Sequence, residues 1–284
     1  MIEFFSAVAE HSFLQKALLA GILAGVACGV VGPYIVARRI SYIGGGIAHS
    51  VLGGMGAAYF FSNVFKWEGL HPLYGAVVAA LLSAVVIGLV SLKARQREDT
   101  IISAVWATGM AIGIIFIMKT PGYNENLMSY LFGNILMVSS RDLWQIAGLD
   151  LLIIAIVILF YNKFLAICFD EEFARARGIN VEFYYLLLLC LTALTVVVLF
   201  TVVGVIMVIA LLTLPVAIAG YFTRTIWQTM ILSTIGTIML TIFGLAISYN
   251  FDLPSGATII LLAGFIFLIT IAGKQIFSAI TSKG

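Results

Sequence analysis

The chain has 284 residues, of which 62% are apolar and only 10% charged, and its formal net charge is +2. Soluble globular domains contain about 45–50% apolar residues, so this composition excludes a soluble protein and indicates a polytopic membrane protein. The small net charge gives no reason to expect nucleic-acid binding. A helix crosses a hydrocarbon layer of roughly 30 Å with about 20 residues. The length therefore allows eight or nine spans, and we expect residues 1-284 to form one all-α transmembrane domain.

Long apolar runs separated by short polar hinges predict nine candidate spans. They cover residues 13–36, 44–62, 71–92, 100–118, 143–161, 184–202, 203–222, 226–249 and 255–273. The seventh run contains Gly204, Pro215 and Gly220. Because proline removes a helical hydrogen bond, this run is predicted to be a broken or short helix. The segment 127–137 has about half the length of a span, which favours a re-entrant or surface helix.

Basic residues are concentrated in alternate hinges, and this pattern predicts the orientation of the chain. Hinges rich in lysine and arginine usually face the cytoplasm. The basic clusters are Arg38 and Arg39, then Lys93, Arg95 and Arg97, then Lys163, Arg175 and Arg177, then Arg224, and finally Lys274 and Lys283. Nine spans would place the N-terminus outside and the C-terminus inside. If the seventh run does not cross fully, the count becomes eight.

Two ionisable residues lie well inside predicted spans, where such side chains usually face a cavity or the interior of the helix bundle. His49 follows three glycines in the second span, and a neutral imidazole can bind a transition metal. It is either a metal ligand or a packing residue. Asp150 lies within the fifth span and is either a hydrogen-bonded carboxylate near the outer interface or part of a cation path.

The cytoplasmic hinge at residues 163–182 is amphipathic, with Phe169 and Phe173 set among acidic and basic residues and Gly178 as a helix stop. It is either a solvated loop helix or a docking element. Phenylalanines on a short cytoplasmic helix need a hydrophobic groove or a membrane surface, which favours docking to a partner.

Taken in order, these segments resemble the bacterial ABC-transporter permeases for zinc, manganese and iron. The segment from Arg38 to Gly44, followed by Ala48 and His49, resembles the start of the second helix of that family. The other similar segments are Leu127 to Gly133 as an outer segment, Asp170 to Gly178 as a coupling helix, Leu211 to Pro215 as a broken helix, and Leu253 to Ala257 opening the last span.

The resemblance implies a homodimer in the bacterial inner membrane, surrounded by membrane lipid. Two ABC ATPase subunits would dock on the coupling helices, and an extracytoplasmic metal-binding protein would deliver the ion. ATP hydrolysis would reside on the partner, so the chain itself would be no enzyme and would bind no cofactor besides the transported metal. The coupling helix would cover about residues 168–178, with the contact residues Phe169, Asp170, Glu171, Glu172, Phe173, Ala174, Arg175 and Gly178.

The resemblance also bears on the metal path. In the family the second helix commonly reads Gly-Asp-x-x-x-His, and both the aspartate and the histidine are thought to contact metal. His49 matches the histidine, but Gly45 stands at the aspartate position, so Ser50 is a candidate substitute. The predicted path contains His49, Ser50 and Asp150, with His49 as the metal ligand. Imidazole without an adjacent carboxylate favours zinc, with manganese or iron next.

Three alternatives remain open at this point, two of another class and one that differs in its substrate. A stand-alone secondary carrier or channel would also have broken helices, although such carriers usually contain inverted repeats. The permease of a siderophore or cobalamin importer would share the coupling logic but would generally have more spans. An integral-membrane enzyme has little support, because the sequence contains neither a Walker A loop nor a His-Glu-x-x-His motif nor a Gly-x-Ser-x-Gly motif.

Overall fold

A computed structural model describes residues 2–67, 69–93, 98–120, 135–205 and 208–281. Within these residues the structure is helical and contains no β-strand, as the sequence predicts. The helices are α1 (Ile2–Glu10), α2 (Ser12–Arg38), α3 (Ser41–Phe65), α4 (Pro72–Lys93), α5 (Glu98–Lys119), α6 (Ser140–Phe169), α7 (Glu171–Ala176), α8 (Val181–Val203), α9 (Val208–Gly220), α10 (Ile226–Phe251) and α11 (Ser255–Thr281). A 3₁₀ turn, Ile135–Met137, precedes α6.

Seven of the helices in the described part are long and apolar enough to cross a membrane: α2, α4, α5, α6, α8, α10 and α11. Helix α3 has 25 residues, which is also the length of a span, but it carries His49 among glycines and serines and is less apolar. With α3 and the short α9, the arrangement agrees with the eight or nine helices that the sequence predicts. The multi-pass all-α architecture is thereby confirmed.

The predicted break in the seventh apolar run is present. Helix α8 ends at Gly204, whose φ of 78° lies in the region that glycine adopts without strain. The described chain resumes in α9, whose 13 residues extend about 20 Å and so fall short of a hydrocarbon core of roughly 30 Å. Pro215 lies inside α9. The predicted re-entrant segment at residues 127–137 lies outside the described residues except for its last three.

Helices α2 and α8 form the interior of the bundle, because most of the apolar stretch of each is buried by other helices. The face of α2 that carries Gly21, Gly25 and Gly29 packs on α10, with Ile238 and Thr234 directly opposite the last two. Small residues on one stripe allow two helix backbones to approach closely. At the other extreme, α5 is largely uncovered and contacts α3 and α4.

Helix α3 is held between α4 and α5 by glycines on all three helices. A Cβ atom at Gly53 would lie 2.7 Å from the carbonyl oxygen of Gly109 on α5. Gly54 and Gly75 face each other across the α3–α4 contact, and a Cβ atom on either would collide with the backbone carbonyl of the other. Since neither backbone can yield locally, these glycines fix the position of α3 in the bundle.

We therefore predict that Gly54→Ala destabilises the protein, because the added methyl group forces α3 away from α4. Overpacking of this kind costs about 1–3 kcal/mol. The measurement is thermal unfolding of the purified chain in detergent, which should show a clearly lower midpoint. Gly236→Ala in α10 is the matched control, because nothing lies within 4 Å of a Cβ atom there. Equal midpoints for the two variants would contradict the close α3–α4 contact.

Candidate functional site

His49 lies on the inner face of α3, with only 7% of its surface exposed. Its ring stacks on the indole of Trp106 in α5, with ring centroids 4.1 Å apart. Its Nδ1 is 2.9 Å from the carbonyl oxygen of Gly45, one turn earlier. Because a carbonyl oxygen only accepts hydrogen bonds, a neutral imidazole must carry its proton on Nδ1, which leaves the Nε2 lone pair available for a metal ion. Backbone carbonyls commonly orient metal-binding histidines in this way.

The start of α9 lies beside Gly45, one helical turn before His49 on α3. A Cβ atom at Gly45 would collide with Ile209 of α9 and would lie 3.1 Å from Trp106. The position where the related permeases commonly carry a carboxylate is therefore filled by apolar side chains. His49 thus lies one helical turn from Gly45, which contacts the first turn of α9.

Ser50 is buried at the α3–α5 contact. Its hydroxyl lies 3.1 Å from the carbonyl oxygen of Gly46 and 3.3 Å from that of Val105, to which it can donate a hydrogen bond. The Cα atom of Ser50 would lie 2.6 Å from a Cβ atom placed on Gly109. In this state Ser50 therefore joins two helices through backbone carbonyls, and its role in a metal path stays a prediction.

Asp150 lies at a different helix interface from His49. It is on the face of α6 that packs on α2, within electrostatic range of Cys28, whereas His49 packs on α5. Asp150 is 3% exposed, and both of its carboxyl oxygens are buried with no hydrogen-bond partner among the described residues. The structure thus places two of the three predicted path residues together, on α3, and the third apart from them.

The described residues contain no group of three or more histidine, cysteine, aspartate or glutamate side chains that could hold a metal ion. A metal at His49 would therefore need further ligands from water, from backbone oxygens or from another molecule. The sequence predicted that His49 lies within a helix, and the structure places it buried in α3, while its role as a metal ligand stays a prediction. Trp106 was missed, because a tryptophan within an apolar run does not reveal which residue it stacks on.

The segment predicted as a coupling helix contains a helix that is shorter than expected, and its coupling role stays a prediction. Helix α7 covers Glu171–Ala176, and the side chain of Asp170 caps it by accepting a 2.9 Å hydrogen bond from the amide of Phe173. Gly178, with a φ of 73°, ends the turn, and Ala174 is fully buried. Phe169 is the last residue of α6, so the expected boundaries of 168–178 are corrected by this structure.

The two phenylalanines of this segment are exposed. Phe169 is 70% and Phe173 52% accessible, and the guanidinium of Arg177 lies 5.6 Å from the ring centre of Phe173. Exposed aromatic side chains beside acidic and basic residues are typical of a protein-binding surface. Arg38 also reaches this segment: it pairs with Glu171. In the sequence, Arg38 was part of a basic hinge and of the segment that resembles the start of the family's second helix, and neither observation predicts its pairing with Glu171.

A sequence model of the ABC 3 transport family matches residues 10–274. The chain belongs to this family. This permease is 43% identical over 268 residues to the "Probable metal transport system membrane protein" of Chlamydia trachomatis serovar D, covering 94% of this chain and 91% of that protein. It is 37% identical over 265 residues to the "Manganese transport system membrane protein MntC" of Halalkalibacterium halodurans, covering 93% and 88%.

The permease also resembles a chain in the solved structure of "PsaBC from Streptococcus pneumoniae in complex with Fab". The TM-score is 0.84 at 33% identity, and the match covers 95% of each chain. The family match and these relatives confirm the resemblance seen in the sequence. The permease is a multi-pass protein of the bacterial cytoplasmic membrane and the membrane subunit of an ABC transporter.

We predict that Asp150→Val stabilises the permease, because it replaces an unpartnered buried carboxyl with an apolar group of similar size. Burying a polar group without a partner costs about 1–3 kcal/mol. Asp142→Val on the same helix is the comparison, because that carboxylate forms a capping box with Ser139. Loss of this cap should lower the free energy of unfolding by about 1 kcal/mol and so lower the unfolding midpoint. A lower midpoint for Asp150→Val would show that the carboxyl has a stabilising partner.

Proposed function

We propose that this permease imports a divalent transition metal, with manganese first, zinc second and iron third. The observation that carries the proposal is His49, a buried imidazole whose Nδ1 is held by Gly45 and whose Nε2 can bind metal, beside the break between α8 and α9. A polar side chain at membrane depth is costly and usually marks a substrate or ion path.

The order of metals differs from the one that the sequence suggests. The sequence places zinc first, because His49 has no adjacent carboxylate. The relative from Halalkalibacterium halodurans is named a manganese transport protein, and this supports manganese for a chain that matches it over 93% of its length. Transport proteins often select metals through geometry and availability as well as ligand type.

A second copy of the chain would complete the path. His49 is buried behind Trp106 of α5, so further ligands for an ion at His49 would come from water, from backbone oxygens or from a neighbouring chain. Helix α5, which stacks Trp106 on His49, carries small side chains along its uncovered face: Ser103, Ala104, Ala107, Thr108 and Ala111. Small residues on one face favour close helix packing in membranes. We place the homodimer contact there.

ATP would be hydrolysed by a separate ATPase subunit docked on the exposed residues around α7. A metal-binding protein on the outer side would deliver the ion, and residues 1–284 would act as one transmembrane domain. ATP binding would close the ATPase subunits and shift the permease from an outward-facing to an inward-facing state, which is a two-state equilibrium biased from both sides of the membrane.

We predict that His49→Ala lowers ATP-dependent metal uptake by about tenfold or more, since ligand and supporting residues commonly change metal affinity by that factor. The measurement uses proteoliposomes that hold the permease with its ATPase and binding protein and compares manganese, zinc and iron. His11→Ala is the matched control, because His11 is an exposed histidine at the start of α2.

Assembly and basal ATP hydrolysis should be unchanged in His49→Ala. Unchanged uptake would show that His49 packs against its neighbours and does not bind the transported ion. If a well-assembled native complex took up none of the three metals, the proposal of metal import itself would be wrong.

We also predict that Phe169→Ser and Phe173→Ser each weaken binding of the ATPase subunit by about tenfold or more. Full burial of a phenylalanine contributes about 1.5–3 kcal/mol, and 1.4 kcal/mol corresponds to a factor of ten. Affinity can be measured in detergent or nanodiscs by titrating the labelled ATPase subunit. Phe251→Ser is the control, because Phe251 is equally exposed but lies between the eighth and ninth predicted spans, in a hinge without basic residues that the charge pattern places on the outer side. Equal affinity for all three variants would place the docking surface elsewhere.

A further inference from the structure

Arg38, the last residue of α2, joins three other helices near the predicted cytoplasmic surface. One guanidinium nitrogen donates a 2.7 Å hydrogen bond to the carbonyl oxygen of Ile167, in the last turn of α6. The same nitrogen pairs with the carboxylate of Glu171, the first residue of α7. The guanidinium carbon also lies 4.8 Å from the centre of the Tyr185 ring in α8.

Each of these contacts suits arginine in particular. Carbonyl groups in the last turn of a helix lack intrahelical partners, so Ile167 accepts a bond that α6 cannot supply. A planar guanidinium can serve a carboxylate and a carbonyl in one plane while its face lies over an aromatic ring. The Arg38 side chain is only 16% exposed, whereas that of Glu171 is 43% exposed. The pair therefore lies at the edge of the bundle, partly shielded from water.

Arg38 also lies at the corner between α2 and α3. Arg39 follows it in a left-handed conformation, with a φ of 61°, and α3 begins at Ser41. His49 is eight residues further along α3, or about 12 Å at 1.5 Å per residue. Helix α7 is joined through the chain to α6 and α8. Its ion pair with Arg38 adds a link to α2, because Glu171 and Arg38 are 133 positions apart in the sequence. The link is therefore a direct route by which a force on α7 would reach the α2–α3 corner, beside the packing of α8 on α3.

We propose that Arg38 is a positioning residue that holds α7 on the α2–α3 corner, so that a displacement of α7 moves α3 with it. The inference rests on the proposed function, in which an ATPase subunit pushes on α7 while His49 lines the path. Arg38 touches neither the ion nor ATP in this account. It determines how much of the ATPase movement reaches α3.

The first test measures the distance between α7 and α3 directly. Spin labels on cysteines at Ala176 and Tyr42, both exposed, report that distance by pulsed dipolar spectroscopy in the permease–ATPase complex. For the native sequence, we expect one narrow distance distribution without nucleotide and the same distribution with ATP bound, because α7 and α3 move together. Arg38→Gln should broaden the distribution and make it depend on nucleotide.

The second test measures coupling in proteoliposomes that hold the permease, its ATPase and its binding protein. Arg38→Gln should lower the amount of metal taken up per ATP hydrolysed by about fivefold or more, while ATP hydrolysis continues. Glu171→Gln removes the ion pair but leaves the contacts of Arg38 with Ile167 and Tyr185. It should therefore lower the uptake per ATP less than Arg38→Gln does, and it provides the test if Arg38→Gln folds poorly. Arg39→Gln makes the same charge change at an exposed neighbour and should behave as native in both tests.

The proposal is overturned if Arg38→Gln and Glu171→Gln both keep the native distance distribution, or if they keep the native uptake per ATP. A purely structural role would lower the yield of folded complex without changing either readout. The proposed function fails separately: a native complex that takes up no metal would refute metal import, while the spin-label distances would still decide whether Arg38 holds α7 to α3.

Discussion

The close contact of α3 with α4 and α5 is the constraint on which the candidate site depends. In a lipid environment there is little hydrophobic force between helices, so close packing of small residues becomes the main source of association. Gly53 and Gly54 allow α3 to meet the backbones of both neighbours, and Gly109 allows α5 to meet Ser50. This approach brings Trp106 onto the ring of His49 and covers the imidazole with protein. A bulky residue at either glycine would separate the helices and expose a polar group to lipid.

The α2–α3 corner connects α3 to α7, the short helix proposed to bind the ATPase subunit. Helix α7 is too short to be stable alone, because isolated helices below about 12–15 residues are marginal in water. Its position depends on the Asp170 cap, on the buried Ala174 and on Arg38. It can therefore carry exposed phenylalanines for a partner while remaining attached to the bundle. The permease combines a rigid centre around α3 with a small surface element held by a few identifiable contacts.

The spans could be predicted from the sequence, because an apolar run of 20 residues has few other uses. The break after Val203 could also be predicted, since glycine and proline interrupt an apolar helix. The end of α6 could not: the fifth span was predicted to end at residue 161, yet the helix continues to Phe169. Nor could the separation of Asp150 from His49, because a sequence shows the depth of a residue along a helix but not which neighbour it faces. The link between Arg38 and Glu171 requires tertiary structure for the same reason.

In this account His49 contributes its Nε2 to a transported ion, and that claim can be measured without following transport. Mn²⁺ is paramagnetic, so pulsed electron paramagnetic resonance of the ion in the assembled complex detects nitrogen atoms bound to it. The account predicts a nitrogen hyperfine coupling typical of imidazole in the native complex and its loss in His49→Ala. A coupling that persists in His49→Ala, or an ion surrounded only by oxygen in the native complex, would contradict it.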